Sequence, residues 1–262
     1  MDETTEIDRA HAAMQAAPED DLARLRFYER LADGEVFVLL REEAAQDAVS
    51  PEVVEVEGQA HVMVFDRIER LSSFARGPAP YATLSGRDLA MMLAGQETGL
   101  ALNLEVAPSA MLIGPEAVDW LARTLDAAPT EVEARLRELT PPPDLPEGLL
   151  QALDRKLARA AGLAECAYLA GAVQEDGARG LLLALVGTAP GAEAALARAV
   201  GEALTFSGLA ESGLDVTHLA AGSDMAARIA RVGLRFDLPQ PEARPVPGAD
   251  PGMDPDKPPK LR

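Results

Sequence analysis

A run of prolines divides this sequence into two parts. Four of the seven residues from Thr140 to Pro146 are proline. Because proline fixes φ and lacks an amide hydrogen, neither a helix nor a central strand can pass through such a segment. The sequence therefore predicts two folding units, residues 1–140 and 147–237, joined by a stiff linker at 141–146. Residues 238–262 contain eight prolines and little apolar mass, so we expect a disordered tail.

The spacing of apolar residues predicts helices and strands that do not alternate regularly. In the first unit, helices are expected at 7–14, 18–33, 66–76, 85–95, 115–126 and 130–139, and strands at 36–40, 53–56, 61–65, 81–84, 99–103 and 110–113. Asp66, with Glu69 three residues later, has the form of a helix cap, and Ser85 forms a second one. A capping box at Thr130 and Glu133 opens the last helix of this unit.

The second unit is expected to have helices near 149–157, 191–206 and 223–232, and strands at 165–173, 180–187 and 214–219. Strands clustered as hairpins between helices favour the α+β class over a parallel sheet. We therefore predict two small α+β domains, each with a mixed or antiparallel sheet packed with helices. In the second domain, the helices are expected on one face of the sheet.

Charge and hydropathy exclude several classes of partner. The net charge is −19, and residues 1–140 alone carry 27 acidic and 12 basic side chains. Such a surface repels nucleic acids and anionic membranes, and the sequence has no compensating basic patch. No apolar run reaches the length of a membrane span, and the acidic start, Met1–Glu6, does not resemble a secretory signal. These features predict a cytoplasmic protein.

The residue patterns of known catalytic and metal sites are missing from the sequence. The single cysteine, Cys166, lies in a predicted strand and is expected to be buried and inert. The three histidines, His11, His61 and His218, are far apart, and no phosphate-binding loop or metal-ligand spacing is present. We therefore expect no catalytic residues, no metal and no cofactor.

One polar turn in the first unit suggests recognition. Arg87 follows Ser85 and Gly86 at the N-terminus of a predicted helix, where a positive charge is unfavourable. An acidic group or a carboxylate ligand would explain its position, but so would pairing with a neighbouring carboxylate, for example on the 66–70 helix. The candidate ligand or partner residues are Asp66, Arg70, Tyr81, Arg87, Asn103 and Trp120. For Trp120, the alternative is a core residue of its helix.

Four segments carry a resemblance to a known family. They are 26–36, 65–75, 81–103 and 115–121, which include the segments Arg26-Phe27-Tyr28, Phe65-Asp66-Arg67, Gly99-Leu100-Ala101 and Trp120-Leu121. They resemble the N-terminal domain of the SseB family, the enhanced-serine-sensitivity proteins of bacteria. Segments 203–209 and 233–239 resemble the C-terminal domain of the same family. The resemblance implies a bacterial cytoplasmic protein of two domains and brings no catalytic residues.

These observations leave several functions open. The preferred hypothesis is a non-enzymatic regulatory or adaptor protein, linked to serine sensitivity, whose first domain binds a protein partner or a small amino-acid-like ligand. One alternative is an enzyme of unrecognised type with a polar centre at Asp66, Arg87 and Asn103. The resemblance also implies a possible modulator of a rhodanese-type sulfurtransferase. A structural subunit tethered through its proline-rich tail is a further alternative.

Overall fold

The computed structural model describes residues 4–43, 50–127, 136–175, 177–209 and 214–240. Within these ranges the helices are α1 Glu6–Ala16, α2 Asp21–Asp33, α3 Ile68–Ala75, α4 Gly86–Leu93, α5 Pro115–Asp126, α6 Glu147–Ala158, α7 Glu193–Phe206 and α8 Asp224–Ile229. The strands are β1 Glu35–Leu39, β2 Val53–Val56, β3 Gln59–Phe65, β4 Tyr81–Ser85, β5 Gly99–Leu102, β6 Met111–Ile113, β7 Leu136–Thr140, β8 Cys166–Gln174, β9 Arg179–Val186, β10 Leu214–Leu219 and β11 Leu234–Asp237. The strands form two mixed sheets, so the predicted α+β class with two small domains is confirmed.

The first sheet has the order β4-β1-β3-β5-β6, and β2 pairs with β3. Strands β3 and β5 are parallel, whereas the other pairs are antiparallel. The predicted hairpin of β2 and β3 is present, with Val56 opposite Gln59. Its two turn residues, Glu57 and Gly58, both have positive φ, which is typical of a tight hairpin turn.

Helices cover both faces of the first sheet. On one face, α1, α2, α4 and α5 enclose the larger core, to which Val36 and Val38 of β1 contribute. On the other face, Leu71 of α3 packs against Leu39 and Phe65. The prediction that β1 is a central strand covered on both sides is therefore confirmed.

The predicted cap of α3 is wrong. The N-cap residue is Arg67, and it makes no side-chain capping hydrogen bond. The Asp66 carboxylate instead accepts hydrogen bonds from Arg70 Nη1 and from the hydroxyl of Thr5. The Asp66 carboxylate therefore binds Arg70 and the hydroxyl of Thr5, the residue before α1, and does not cap α3. By contrast, Ser85 caps α4 as predicted, because its hydroxyl accepts from the backbone amide of Asp88.

The second sheet has the order β10-β9-β8-β11, with β7 also paired to β8. Helices α6 and α7 pack on one face through residues such as Leu153 and Leu196. Helix α8 lies on the opposite face, where Ile229 contacts a cluster that includes Ala170 and Leu182. The expectation of helices on one face alone is therefore wrong, because β8 and β9 carry apolar side chains on both faces and both must be covered.

The helix predicted at 130–139 is wrong for the described residues. Residues 136–140 form β7, which is antiparallel to β8 and therefore belongs to the second sheet, although the sequence assigned them to the first unit. A bulge between Leu136 and Glu138 lets Leu136 and Leu139 reach the same apolar cluster. The three-residue spacing of Leu136 and Leu139 is therefore also the spacing expected for the apolar face of a helix. The capping box at 130 and 133 and most of the predicted tail, 241–262, lie outside the described residues.

Every helix in the described part of the chain is too short or too polar to cross a membrane.

Candidate binding cleft at the domain junction

Charged side chains from both domains meet between α2, α4, α6 and α7. Arg87 of α4 donates two hydrogen bonds to Glu202 of α7, at 2.6 and 2.8 Å. Lys156 of α6 lies between Glu202 and Asp33 of α2, with Nζ–O distances of 2.9 and 2.8 Å. One continuous ion-pair network therefore joins the two domains.

Local packing explains why Arg87 reaches this network. The amide of Gly86, the first residue of α4, donates to the carbonyl oxygen of Gly34 at 2.9 Å. A Cβ atom at position 86 would overlap the carbonyl group of Leu31, so only glycine lets α4 approach α2 so closely. This approach also brings Arg87 within 3.5 Å of Asp33. Arg87 thus has carboxylate partners, but they belong to α2 and α7 rather than to the 66–70 helix.

The contact between Glu202 and Arg87 shifts the pKa of both side chains. Burial of Glu202 opposes ionisation, but hydrogen bonds from Arg87 and the charge of Lys156 outweigh it, so the pKa of Glu202 lies below its usual value. The pKa of Arg87 is raised, mainly because its side chain donates hydrogen bonds to Glu202. Partial burial opposes this shift, and the negative charge of Asp33 adds to it. Both shifts favour the charged forms of Glu202 and Arg87.

Two further ion pairs extend the junction. Arg155 Nη2 donates to the buried carboxylate of Glu29 at 2.9 Å, and Arg159 Nη1 lies 3.1 Å from Asp33 Oδ2. Glu29 Oε1 and Arg155 Nε are buried and have no hydrogen-bond partner among the described residues. The polar groups of this part of the junction are consequently not all satisfied.

Aromatic packing also crosses the junction. Phe206, at the end of α7, is buried in the larger core of the first domain. Its ring meets Trp120 edge-on, with centroids 6.2 Å apart, and Trp120 meets Tyr28 in the same way at 5.4 Å. Trp120 is partly buried against this core, which agrees with the alternative interpretation of it as a core residue.

A cleft of about 370 Å³ opens beside the ion-pair network. Its charged lining residues are Asp33, Arg87, Lys156, Arg159, Arg198 and Glu202. Four are cationic and two are anionic, so the lining has a net charge of +2 within a protein of net charge −19. Arg198 is exposed and has no hydrogen bond or ion pair with another described residue. The cleft can therefore attract and hold an anion.

Sequence reasoning identified only Arg87 among these residues. The others lie on α2, α6 and α7, and their approach depends on how the two domains pack. The one sequence signal was the cluster Arg155, Lys156 and Arg159 near the end of α6, where cations also suit the helix dipole.

A second polar cluster lies inside the first domain and contains three of the predicted residues. Arg70 bridges Asp8 and Asp66, with Nη–O distances of 2.5 and 2.9 Å. Asn103 donates to Ser109 at 2.9 Å and accepts from the backbone amide of Asp66 at 3.1 Å. The sequence analysis missed Asp8 and Ser109, which lie on α1 and in the β5–β6 loop.

This second cluster is buried and extensively hydrogen-bonded. Asn103 and Ser109 are completely buried, and Asp8 is 4% exposed. Burial alone would raise the pKa of Asp8, but hydrogen bonds from Arg70, Ser109 and the Thr5 amide hold it well below its usual value. Asp66, Arg70 and Asn103 therefore lie together in a network that ties α1, α3 and the β5–β6 loop, while Arg87 belongs to the other network.

The remaining candidate, Tyr81, lies apart from both networks. It starts β4 at the edge of the first sheet, is 47% exposed and packs edge-on against Phe37 at 5.9 Å. The three histidines and the cysteine do not line the cleft. His11, His61 and Cys166 are buried. Burial also lowers the pKa of His218. The described residues contain no group of three His, Cys, Asp or Glu side chains able to hold a metal ion.

The fold and the cleft define a two-domain α+β protein with a charged cleft between its domains. Residues 8–120, from α1 to the middle of α5, match the SseB protein N-terminal domain, and this match supports membership of the SseB family for that part of the chain. Neither the curated proteins nor the solved structures include a match to the chain. The resemblance of the second domain to the family's C-terminal domain stays a prediction.

Proposed function

We propose that this protein is a non-enzymatic regulatory protein that binds a small carboxylate ligand of amino-acid size in the cleft at the domain junction. The observation that carries the proposal is the cleft itself: four cations and two carboxylates surround about 370 Å³. This volume lies at the lower end of the range for small-molecule sites.

The charge of the lining supports an anionic ligand. Arg87 and Arg159 are 33% and 57% exposed at their side chains, and Arg198 is also exposed, so a ligand in the cleft can reach them. Guanidinium groups suit carboxylates because two parallel N–H donors match the two oxygens. The chain as a whole has a net charge of −19, so the net positive lining distinguishes the cleft as a place that attracts an anion.

The arrangement of polar residues supports binding over catalysis. The alternative enzyme requires Asp66, Arg87 and Asn103 in one centre, whereas they belong to two separate networks. Within the network of Asp66, hydrogen bonds hold the pKa of Asp8 well below its usual value, whereas a general acid or base needs a pKa near neutral pH. Ion pairs and hydrogen bonds of this kind stabilise structure without a chemical step.

The proposal places the protein in the bacterial cytoplasm and links occupancy of the cleft to serine sensitivity. Both domains line the cleft, so a ligand contacts them together. Binding would therefore stabilise one arrangement of the two domains. A regulatory or adaptor protein can use such an arrangement to present a surface to a protein partner only when the ligand is bound.

Thermal unfolding of the full chain with a panel of small carboxylates and amino acids tests the proposal. A ligand at about 100 times its Kd should stabilise the protein by about 2.7 kcal/mol. The shift should be reduced in Arg198→Gln, which removes a cleft cation without breaking a hydrogen bond or ion pair to a described residue. Arg228→Gln is the matched control, because Arg228 is an exposed arginine on α8 that does not line the cleft. If none of the compounds raises the unfolding temperature, the proposal is contradicted, and a protein partner alone becomes the working hypothesis.

A further inference from the structure

We infer that the cleft selects a monocarboxylic acid with an aliphatic body and no ammonium group, in preference to a free amino acid. The inference rests on the proposed function and specifies the ligand class of the same cleft. Two independent features of the lining support it: an apolar wall and the absence of a free counter-charge for an ammonium group.

The apolar wall comes mainly from the second domain. Residues that line the cleft recur at helical spacing in two segments, 156, 159, 160 and 163 in the first and 195, 196, 198, 199 and 202 in the second. The apolar members of the lining are Ala32, Ala160, Leu163, Ala195, Leu196 and Ala199. Most of them are alanines, so their short side chains leave space in front of the wall. An aliphatic group placed there removes apolar surface from water.

The head group and the body of the ligand would contact neighbouring positions. On α7, Arg198 lies three residues after Ala195, which is the spacing of neighbours on one helix face. In the other segment, Arg159 lies four residues before Leu163, which is 36% exposed. In both segments a cation therefore adjoins the apolar wall. A carboxylate paired with Arg198 or Arg159 would place a short aliphatic body against the alanines.

The carboxylates of the cleft are already engaged. Glu202 accepts from Arg87 through both oxygens and from Lys156. Asp33 contacts Lys156, Arg87 and Arg159. An α-ammonium group would therefore compete with two cations for Glu202 and with three for Asp33, in a cleft whose lining is already net positive. An uncharged or carbonyl-bearing α-carbon avoids this repulsion.

Matched pairs of ligands test the inference by calorimetric titration of the full chain. The probes are 4-methyl-2-oxopentanoate, leucine and acetate, which share a carboxylate. Leucine adds the ammonium group to the same aliphatic body, and acetate lacks the body. We expect the oxo acid to bind at least about tenfold more tightly than acetate, because an isobutyl group is buried. We also expect it to bind more tightly than leucine.

Two variants distinguish the contribution of the apolar wall to ligand affinity from that of the cations. Leu163→Asn should weaken binding of the oxo acid while leaving acetate unchanged, and the exposure of Leu163 makes the substitution tolerable for folding. Arg198→Gln should weaken both. Leucine binding as tightly as the oxo acid, or acetate binding as tightly, would overturn the inference and leave the proposed function standing. Failure of every carboxylate tested to bind would overturn both.

Discussion

Arg87 and Glu202 are joined by two hydrogen bonds of 2.6 and 2.8 Å although 115 residues separate them in the chain. One lies on α4 of the first domain and the other on α7 of the second. The same pair forms part of the wall of the cleft. The geometry of the proposed ligand site therefore depends on the packing of the two domains against each other.

Removing the charge of Glu202 should destabilise the protein. Glu202→Gln leaves the buried Lys156 with Asp33 alone and Arg87 without its bidentate partner, and breaking a buried pair costs about 3–5 kcal/mol. Chemical denaturation of the full chain measures this loss. Asp154→Asn, an exposed residue of α6, is the control and should change the free energy of unfolding by less than about 0.5 kcal/mol. A Glu202→Gln protein as stable as the control would show that the network contributes little.

Shortening Phe206 should weaken the coupling between the domains. Phe206 is 1% exposed and lies in the core of the first domain, so Phe206→Ala should cost about 3–5 kcal/mol. Because its backbone belongs to α7 of the second domain, we also expect the two domains to unfold in separate calorimetric transitions. Phe206→Leu keeps much of the apolar contact and should be milder. A single transition with an unchanged midpoint in Phe206→Ala would contradict this role.

The low pKa of Asp8 predicts how stability depends on pH. The pKa is depressed in the folded protein relative to 3.8, so the unfolded chain takes up the proton first as the pH falls. The stabilisation is therefore complete well above pH 4 and is lost as the pH decreases below about 4. Asp8→Asn should lower the free energy of unfolding at neutral pH. It should also make that free energy depend less steeply on pH in the acid range. If the free energy of unfolding of the variant falls with decreasing pH as steeply as that of the unmodified protein, the low pKa assigned to Asp8 is contradicted.

Asn103 should matter for stability and not for the cleft. Asn103→Ala removes the acceptor of the Asp66 amide and places alanine at a φ of 51°, so we expect a loss of about 2–3 kcal/mol. Asn103→Gly tolerates this φ and should lose less. Since Asn103 does not line the cleft, the Kd of a bound carboxylate should stay the same in titrations at a temperature where the variant is folded. A weakened Kd would instead connect the buried cluster to binding.

Local patterns predicted most of the elements correctly. Caps and turns such as Ser85 and the Glu57–Gly58 hairpin act over a few residues, so their signals are contained in the sequence near them. The errors arose where specific side-chain or strand contacts, and not the local pattern, decided the outcome. Asp66 caps no helix because Arg70 and Thr5 take its carboxylate, and β7 was mistaken for a helix because its bulge places Leu136 and Leu139 on one face.

The candidate site was less predictable than the fold for the same reason. The position of Arg87 at the start of a helix suggested an acidic group, a carboxylate ligand or a neighbouring carboxylate as its partner, and Glu202 is one such partner. Nothing near Arg87 in the sequence could identify Glu202 or Asp33 as its partners, since both contacts require tertiary packing. Asp66, Arg70 and Asn103 were predicted as ligand or partner residues, and the structure places them in a buried network.

A crystal structure of the full chain, grown with a carboxylic acid that stabilises it in solution, tests the central claim most directly. The account predicts the ligand between α6 and α7, with its carboxylate within about 3 Å of a guanidinium group of Arg87, Arg159 or Arg198. A ligand bound elsewhere, or an empty cleft at a concentration that saturates binding in solution, would contradict it.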